Sequence, residues 1–186
     1  NSAFIFKIKG VDLSGKIGAL IMTAFGIFAI ERWVASGILF FILFACKNFI
    51  AAYYFAIRKP AKIKCSFWQS LLAYISSAIP LIYLSPQGDP SHFVFLIFSI
   101  TSIIGFTIST LAIIELGSSM GVSPAVRGEQ CKSGLYKWFK HPMYMGYAIA
   151  EFVWILINPL NALIYVFSIT GYFLRSRFEN SIISNS

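Results

Sequence analysis

The chain has 186 residues, 58% of them apolar and only 12% charged, with a mean hydropathy of +0.75. Soluble domains carry about a quarter charged residues, so this composition points away from a water-soluble globule and toward a chain whose solvent is partly lipid. The net charge of +8 then reads as a determinant of membrane orientation, with no nucleic-acid partner implied.

Apolar runs come first. Segments at roughly 17–35, 37–57, 67–84 and 93–114 are each long enough to cross, since a membrane helix needs roughly 20 apolar residues. The opening Asn-Ser carries no initiator Met, which leaves room for residues ahead of it. The first run has no basic stretch and cleavage site around it, so it is read as a span and not as a signal peptide. Cys46, Cys65 and Cys131 are widely spaced and odd in number, which suggests neither a disulfide framework nor a metal site.

A polar connection follows from Gly117 to His141, then two shorter apolar runs at roughly 143–157 and 160–174. Each would make a helix of about 22 Å, short of the ~30 Å hydrocarbon core. Asn158-Pro159 between them is a turn signal, so the pair reads as a short helical hairpin. The expected fold is therefore all-α: a polytopic membrane bundle of about six spans in one domain, 1–186, with four N-terminal spans (17–116) and a C-terminal unit (117–186). The charges support this count. With the N-terminus inside, thirteen of the fifteen Lys and Arg fall on the cytoplasmic side, Arg32 and Lys47 excepted, and both termini are then cytoplasmic.

Within this pattern Lys132 to Tyr147, KSGLYKWFKHPMYMGY, stands out. Pro is favoured in the first turn of a helix, so Pro142 starts the fifth span with His141 at its mouth. Tyr144 and Tyr147, three apart, share a helix face. A helix N-terminus offers free N–H groups to a carboxylate or phosphate; an interfacial belt of Tyr, Trp and Lys is the plainer reading of the same residues.

GLYKWFKHPMYMGY resembles the G-x-Y-x-x-x-R-H-P-x-Y-x-G signature of the integral-membrane methyltransferases, which include the isoprenylcysteine carboxyl methyltransferases and the phospholipid N-methyltransferases. Gly134, Tyr136, His141, Pro142, Tyr144 and Gly146 match, and Lys140 stands where Arg is usual. SSMGVSPAVRG (Ser118 to Gly128), Glu151 and INPLN (Ile157 to Asn161) are similar to one bacterial branch. RSRFENSII (Arg175 to Ile183) resembles the ending R-x-x-x-E-E-x-x-L, with Asn180 in place of the second Glu. The resemblance covers about 117–183. Relatives usually run on past the point where this chain stops at Ser186, and such a tail is a candidate part of the site.

What the resemblance implies is S-adenosylmethionine as cofactor, bound on the cytoplasmic side by Gly134, Leu135, Tyr136, Lys140, His141, Pro142, Tyr144, Arg175 and Glu179. The acceptor would be a lipid-like or amphipathic carboxylate or amine. His141, Glu151 and Arg127 are the candidate catalytic residues, as base for an amine or cation for a carboxylate, with Glu115 and Lys47 as alternatives in the same two roles. Lys140 keeps a charge but lacks the planar fork of Arg, and Asn180 removes a negative charge. No βαβ pattern or GxGxxG supplies a Rossmann site, so helix ends and loop must grip the cofactor. Tyr136, Tyr144 and Tyr147 could face a sulfonium through their rings.

Lys47 and Glu151 lie near mid-span, where ionisable groups are costly and usually paired or functional; an ion pair between them and a substrate-site role are both open. A steroid- or sterol-type reductase using NADPH shares part of the pattern, and a non-enzymatic membrane scaffold is the remote alternative. Oligomeric state is not legible.

Overall fold

The computed structural model describes residues 13–59, 63–64, 66–121, 125–126 and 133–184. Helix α1 (Leu13–Ser36) turns into α2 (Leu39–Ile57) through Gly37, whose φ of +67° suits the left-handed turn that ends a helix. Its N–H donates to the Trp33 carbonyl at 2.7 Å. The two helices run antiparallel, Gly18 lying against Phe55 and Gly26 against Phe49.

Helix α3 (Phe67–Ala78) starts at a capping box, where the Ser66 hydroxyl and the Gln69 side chain each bond the other residue's backbone N–H. It tightens into a 3-10 turn, Ile79–Ile82. Helix α4 (His92–Leu116) follows, then α5 (Pro142–Phe152), continued after Val153 by α6 (Trp154–Ile157), and finally α7 (Asn161–Ser184). Six helical segments thus occupy the six expected positions. Three are long and apolar enough to cross a membrane: Ser14–Ser36, Leu39–Ile57 and His92–Ser119. Phe67–Ile82 and Pro142–Ile157 are shorter apolar helices.

One expectation changes. The sixth segment is not a short arm: α7 runs for 24 residues, about 36 Å at 1.5 Å per residue. Its last turns are polar, which hid them from a hydropathy count. The architecture is all-helical as expected, and the one extended pairing among the described residues joins two connections, β1 (Ile63–Lys64) lying antiparallel to β2 (Ala125–Val126). Two connections run side by side there, and their backbone groups satisfy each other.

Two glycines set the closest crossing. A Cβ on Gly105 of α4 would lie 2.4 Å from the Ala150 nitrogen, and one on Gly146 of α5 would lie 2.6 Å from the Gly105 carbonyl oxygen. Helices α4 and α5 therefore touch backbone to backbone, as small residues permit in membranes.

Packing divides into two clusters. One joins Phe40, Phe41, Phe44, Tyr83, Phe98, Phe106 and Trp154, with the Tyr83 and Trp154 rings stacked at 5.1 Å. The other gathers Met22, Phe55, Ile113, Met143, Tyr144, Tyr147 and Tyr172 beneath the site. The end beyond the first cluster is laced by polar side chains. Arg32 donates to the carbonyls of Leu81 and Tyr83 at 3.0 and 2.6 Å. Asn161 accepts from the Leu84 N–H at 2.8 Å and donates to the Leu84 carbonyl at 3.1 Å, while Asn158 donates to the Ser85 carbonyl at 2.9 Å. INPLN thus fastens the turn before α7 to the loop after α3.

Candidate functional site

At the opposite end, the start of α5 meets the end of α7. Pro142 is the first residue of α5 and is buried; it fixes the entry angle of the helix and places His141 at its cap. The His141 ring is held from both sides by α7, with Nδ1 3.3 Å from Glu179 Oε2 and Nε2 3.3 Å from Asn180 Oδ1. Tyr144, one turn into α5, donates its hydroxyl to the other oxygen of Glu179. The Tyr144 and His141 rings stack at 5.7 Å.

Beneath them the aromatic column continues, Tyr144 stacking on Tyr172 at 5.8 Å and Tyr172 tilting against Tyr147 at 5.4 Å. Arg175, one turn before Glu179 on α7, stands 4.8 Å from the centre of the Tyr144 ring. It is only 1% exposed, and its guanidinium donates to the hydroxyls of Ser76 and Ser77 on α3 at 3.4 and 3.1 Å. It supports Tyr144 from behind and does not open into solvent. A shallow, largely apolar groove of about 240 Å³ runs between α5 and α7, lined by His141, Tyr144, Met145, Tyr172, Phe173 and Ser176 among others.

The loop before α5 is anchored separately. Both Glu115 oxygens accept from the Leu135 N–H, at 3.1 and 2.9 Å. Gly134 has φ +54°, and a Cβ there would lie 2.0 Å from Glu115 Oε1. Glycine is required on both counts. Glu115 is therefore a backbone clamp, where its place at a span end had suggested a solvated group or a base. Leu135 and Tyr136 lean on the tyrosine cluster, half-buried.

Glu151 lies deeper, 2% exposed. Its Oε2 accepts from Tyr83 at 2.8 Å and Ser168 at 2.5 Å, and its Oε1 accepts from Tyr172. Three hydroxyls from two separate parts of the chain thus hold one carboxylate. The ion pair considered with Lys47 takes a looser form. The Lys47 ammonium rests over the rings of Phe44 and Tyr147, at 4.3 and 4.7 Å, and feels Glu151 only as a nearby charge.

The structure thus brings together His141, Tyr144, Arg175 and Glu179 and adds Asn180, Tyr172, Ser76 and Ser77. Gly134, Leu135 and Tyr136 stand one step back in the clamped loop. Lys140 is exposed beside the cluster, and Arg127 lies outside the described residues. Tyr83, Ser76 and Ser77 were missed because nothing in their own segment marks them; only the need of Glu151 and Arg175 for partners could have pointed to them.

Residues 94–184 match the model of the isoprenylcysteine carboxyl methyltransferase (ICMT) family. The matched region takes in α4, the clamped loop and all of α5 to α7, hence His141, Tyr144, Glu151, Arg175 and Glu179 together. No curated protein and no solved structure matches the chain.

Proposed function

Because the chain belongs, through residues 94–184, to the integral-membrane methyltransferases, we propose that it transfers a methyl group from S-adenosylmethionine to a lipid-like or amphipathic acceptor at the cytoplasmic face of a membrane. The observation that carries the reading is the convergence of His141 and Tyr144, which line the α5–α7 groove, on Glu179 behind them.

The donor set suits the cofactor. Glu179 offers a carboxylate to an ammonium or to ribose hydroxyls, and Asn180 and His141 offer polar atoms for an adenine edge. Tyr144 and Tyr172 line the groove, and aromatic rings attract a sulfonium electrostatically, although the Tyr144 faces are taken up by His141, Tyr172 and Arg175. The groove is smaller than the ~300–1,000 Å³ typical of a complete ligand site, so it would take one part of the molecule, with the clamped loop at Gly134 to Tyr136 bordering the rest. The chemistry supplied by the bound cofactor is an electrophilic methyl group on sulfur.

The residues orient and exclude water, which is most of what methyl transfer asks of a protein. Arg175 keeps Tyr144 in place through its bonds to Ser76 and Ser77. For an amine acceptor a proton must leave; both ring nitrogens of His141 face oxygens of α7, so His141 takes that proton only by turning one nitrogen away from Glu179 or Asn180. Glu151 is saturated by hydroxyls, so the structural role suits it better than the catalytic one.

Equilibrium binding of S-adenosylhomocysteine and of NADPH to the detergent-purified protein tests this. The first should bind and the second should not. His141→Ala and Glu179→Ala should each weaken binding of the first by about tenfold or more, the usual cost of a hydrogen bond to a charged group. Binding of NADPH alone would transfer the protein to the reductases, and unchanged affinity in both variants would remove the site assignment.

A further inference from the structure

Four consecutive residues of the loop before α5, Lys137-Trp138-Phe139-Lys140, take no part in the cluster at Glu179. Trp138 is 77% exposed and Phe139 45% exposed, and both lysines are exposed. Residues 133–142 contain no acidic side chain. The Lys137 ammonium lies 5.5 Å from the centre of the Trp138 ring, so cation and indole are presented together.

A second exposed pair stands at the same end. Phe67 and Trp68, in the first turn of α3, are 72% and 74% exposed, with ring centres 5.5 Å apart. The β1–β2 pairing ties the approach to α3 to the connection that leads toward α5. Both helices pack on α7. Two aromatic pairs therefore flank the foot of α7, each where a chain enters an apolar helix. Large exposed rings at that position belong to the boundary between hydrocarbon and headgroups. The exposed Lys137 and Lys140 complement anionic headgroups, the nearby carboxylates of Glu115 and Glu179 being engaged inward by Leu135, His141 and Tyr144.

We propose that Lys137 to Lys140 form a binding surface for the headgroups of anionic phospholipids, with Trp138 and Phe139 seated at the boundary below them. Lipid bound there also steadies His141 against Glu179, since Lys140 is its immediate neighbour in the chain. The surface rests on the membrane placement argued above, but its first readout does not depend on methyl transfer.

The test uses the full chain in nanodiscs of phosphatidylcholine, alone or mixed with phosphatidylglycerol, with brominated acyl chains as quenchers. Subtracting the Trp138→Phe protein isolates Trp138 fluorescence from the other three tryptophans. Bromine on phosphatidylglycerol should quench Trp138 more than the same amount on phosphatidylcholine. Lys137→Gln should reduce that preference, a lysine near an anionic surface being worth about fivefold, and high salt should erase it. Phosphatidylglycerol should also raise S-adenosylhomocysteine affinity at least threefold in the unmodified protein and less in Lys137→Gln. Absent quenching in both compositions, or equal quenching in both, overturns the surface. Selective quenching with unchanged affinity overturns the link to His141. Failure to bind S-adenosylhomocysteine in any lipid, with selective quenching intact, defeats the methyltransferase reading and leaves the surface standing.

Discussion

One carboxylate with three hydroxyl donors makes Glu151 the residue on which the interior depends most. Replacing it by Leu strands the hydroxyls of Tyr83, Ser168 and Tyr172, all in residues that are buried, at a cost of about 3 kcal/mol. Glu151→Gln keeps an acceptor oxygen and should cost about half as much. Thermal unfolding in detergent measures both, and two unfolding temperatures equal to that of the unmodified protein would refute the bolt-like role. Gly134 is the corresponding point in the loop. With φ at +54° and the Glu115 carboxylate against the Cβ position, Gly134→Ala should displace the loop at a cost of about 1–2 kcal/mol for the left-handed backbone alone. S-adenosylhomocysteine affinity should fall well before thermal stability does; retained affinity would show that the loop does not border the site.

Between elements, the decisive contact is the crossing of α4 and α5 at Gly105 and Gly146. Gly146→Val would force the backbones apart, an overpacking penalty of about 1–3 kcal/mol or more. Ile103→Ala, on an exposed position of α4, should be nearly neutral. The folded fraction after size exclusion separates the two, and equal yields would mean that the crossing is looser than its geometry. The positions of the six helical segments among the described residues were legible because each follows an apolar run in the sequence. The extra turns of α7 were not, since Arg175 to Asn180 read as a polar tail although they continue the helix. His141 and Glu179 could be linked through their motifs despite standing 38 positions apart along the chain. The bond from Tyr83 to Glu151 joins residues 68 apart with no motif at the first of them, so pattern reading had no purchase on it. Lys47 shows the same limit: its depth was readable, but its choice of two aromatic faces over a carboxylate depends on side-chain direction.

For the molecule as a whole, six crossings with the basic loops on one side remain a prediction of charge distribution. It is checked by replacing Cys46, Cys65 and Cys131 and adding single cysteines at Gln87 or Lys137. In intact cells an impermeant maleimide should label Gln87→Cys and leave Lys137→Cys unlabelled until the membrane is opened. Labelling of both, or the reverse order, would discard the six-span arrangement. The Glu151 junction bears on how such a chain comes together. Its donors straddle the start of the region that matches the family: Tyr83 stands upstream of residue 94, whereas Ser168 and Tyr172 stand inside that region, toward its far end. Until α7 is made and α3 has docked, the Glu151 carboxylate on α5 lacks all three of its hydroxyl donors. Assembly is therefore a closing step that requires the first half of the chain to be already in place, and the second half expressed by itself should be degraded unless the first is supplied alongside it.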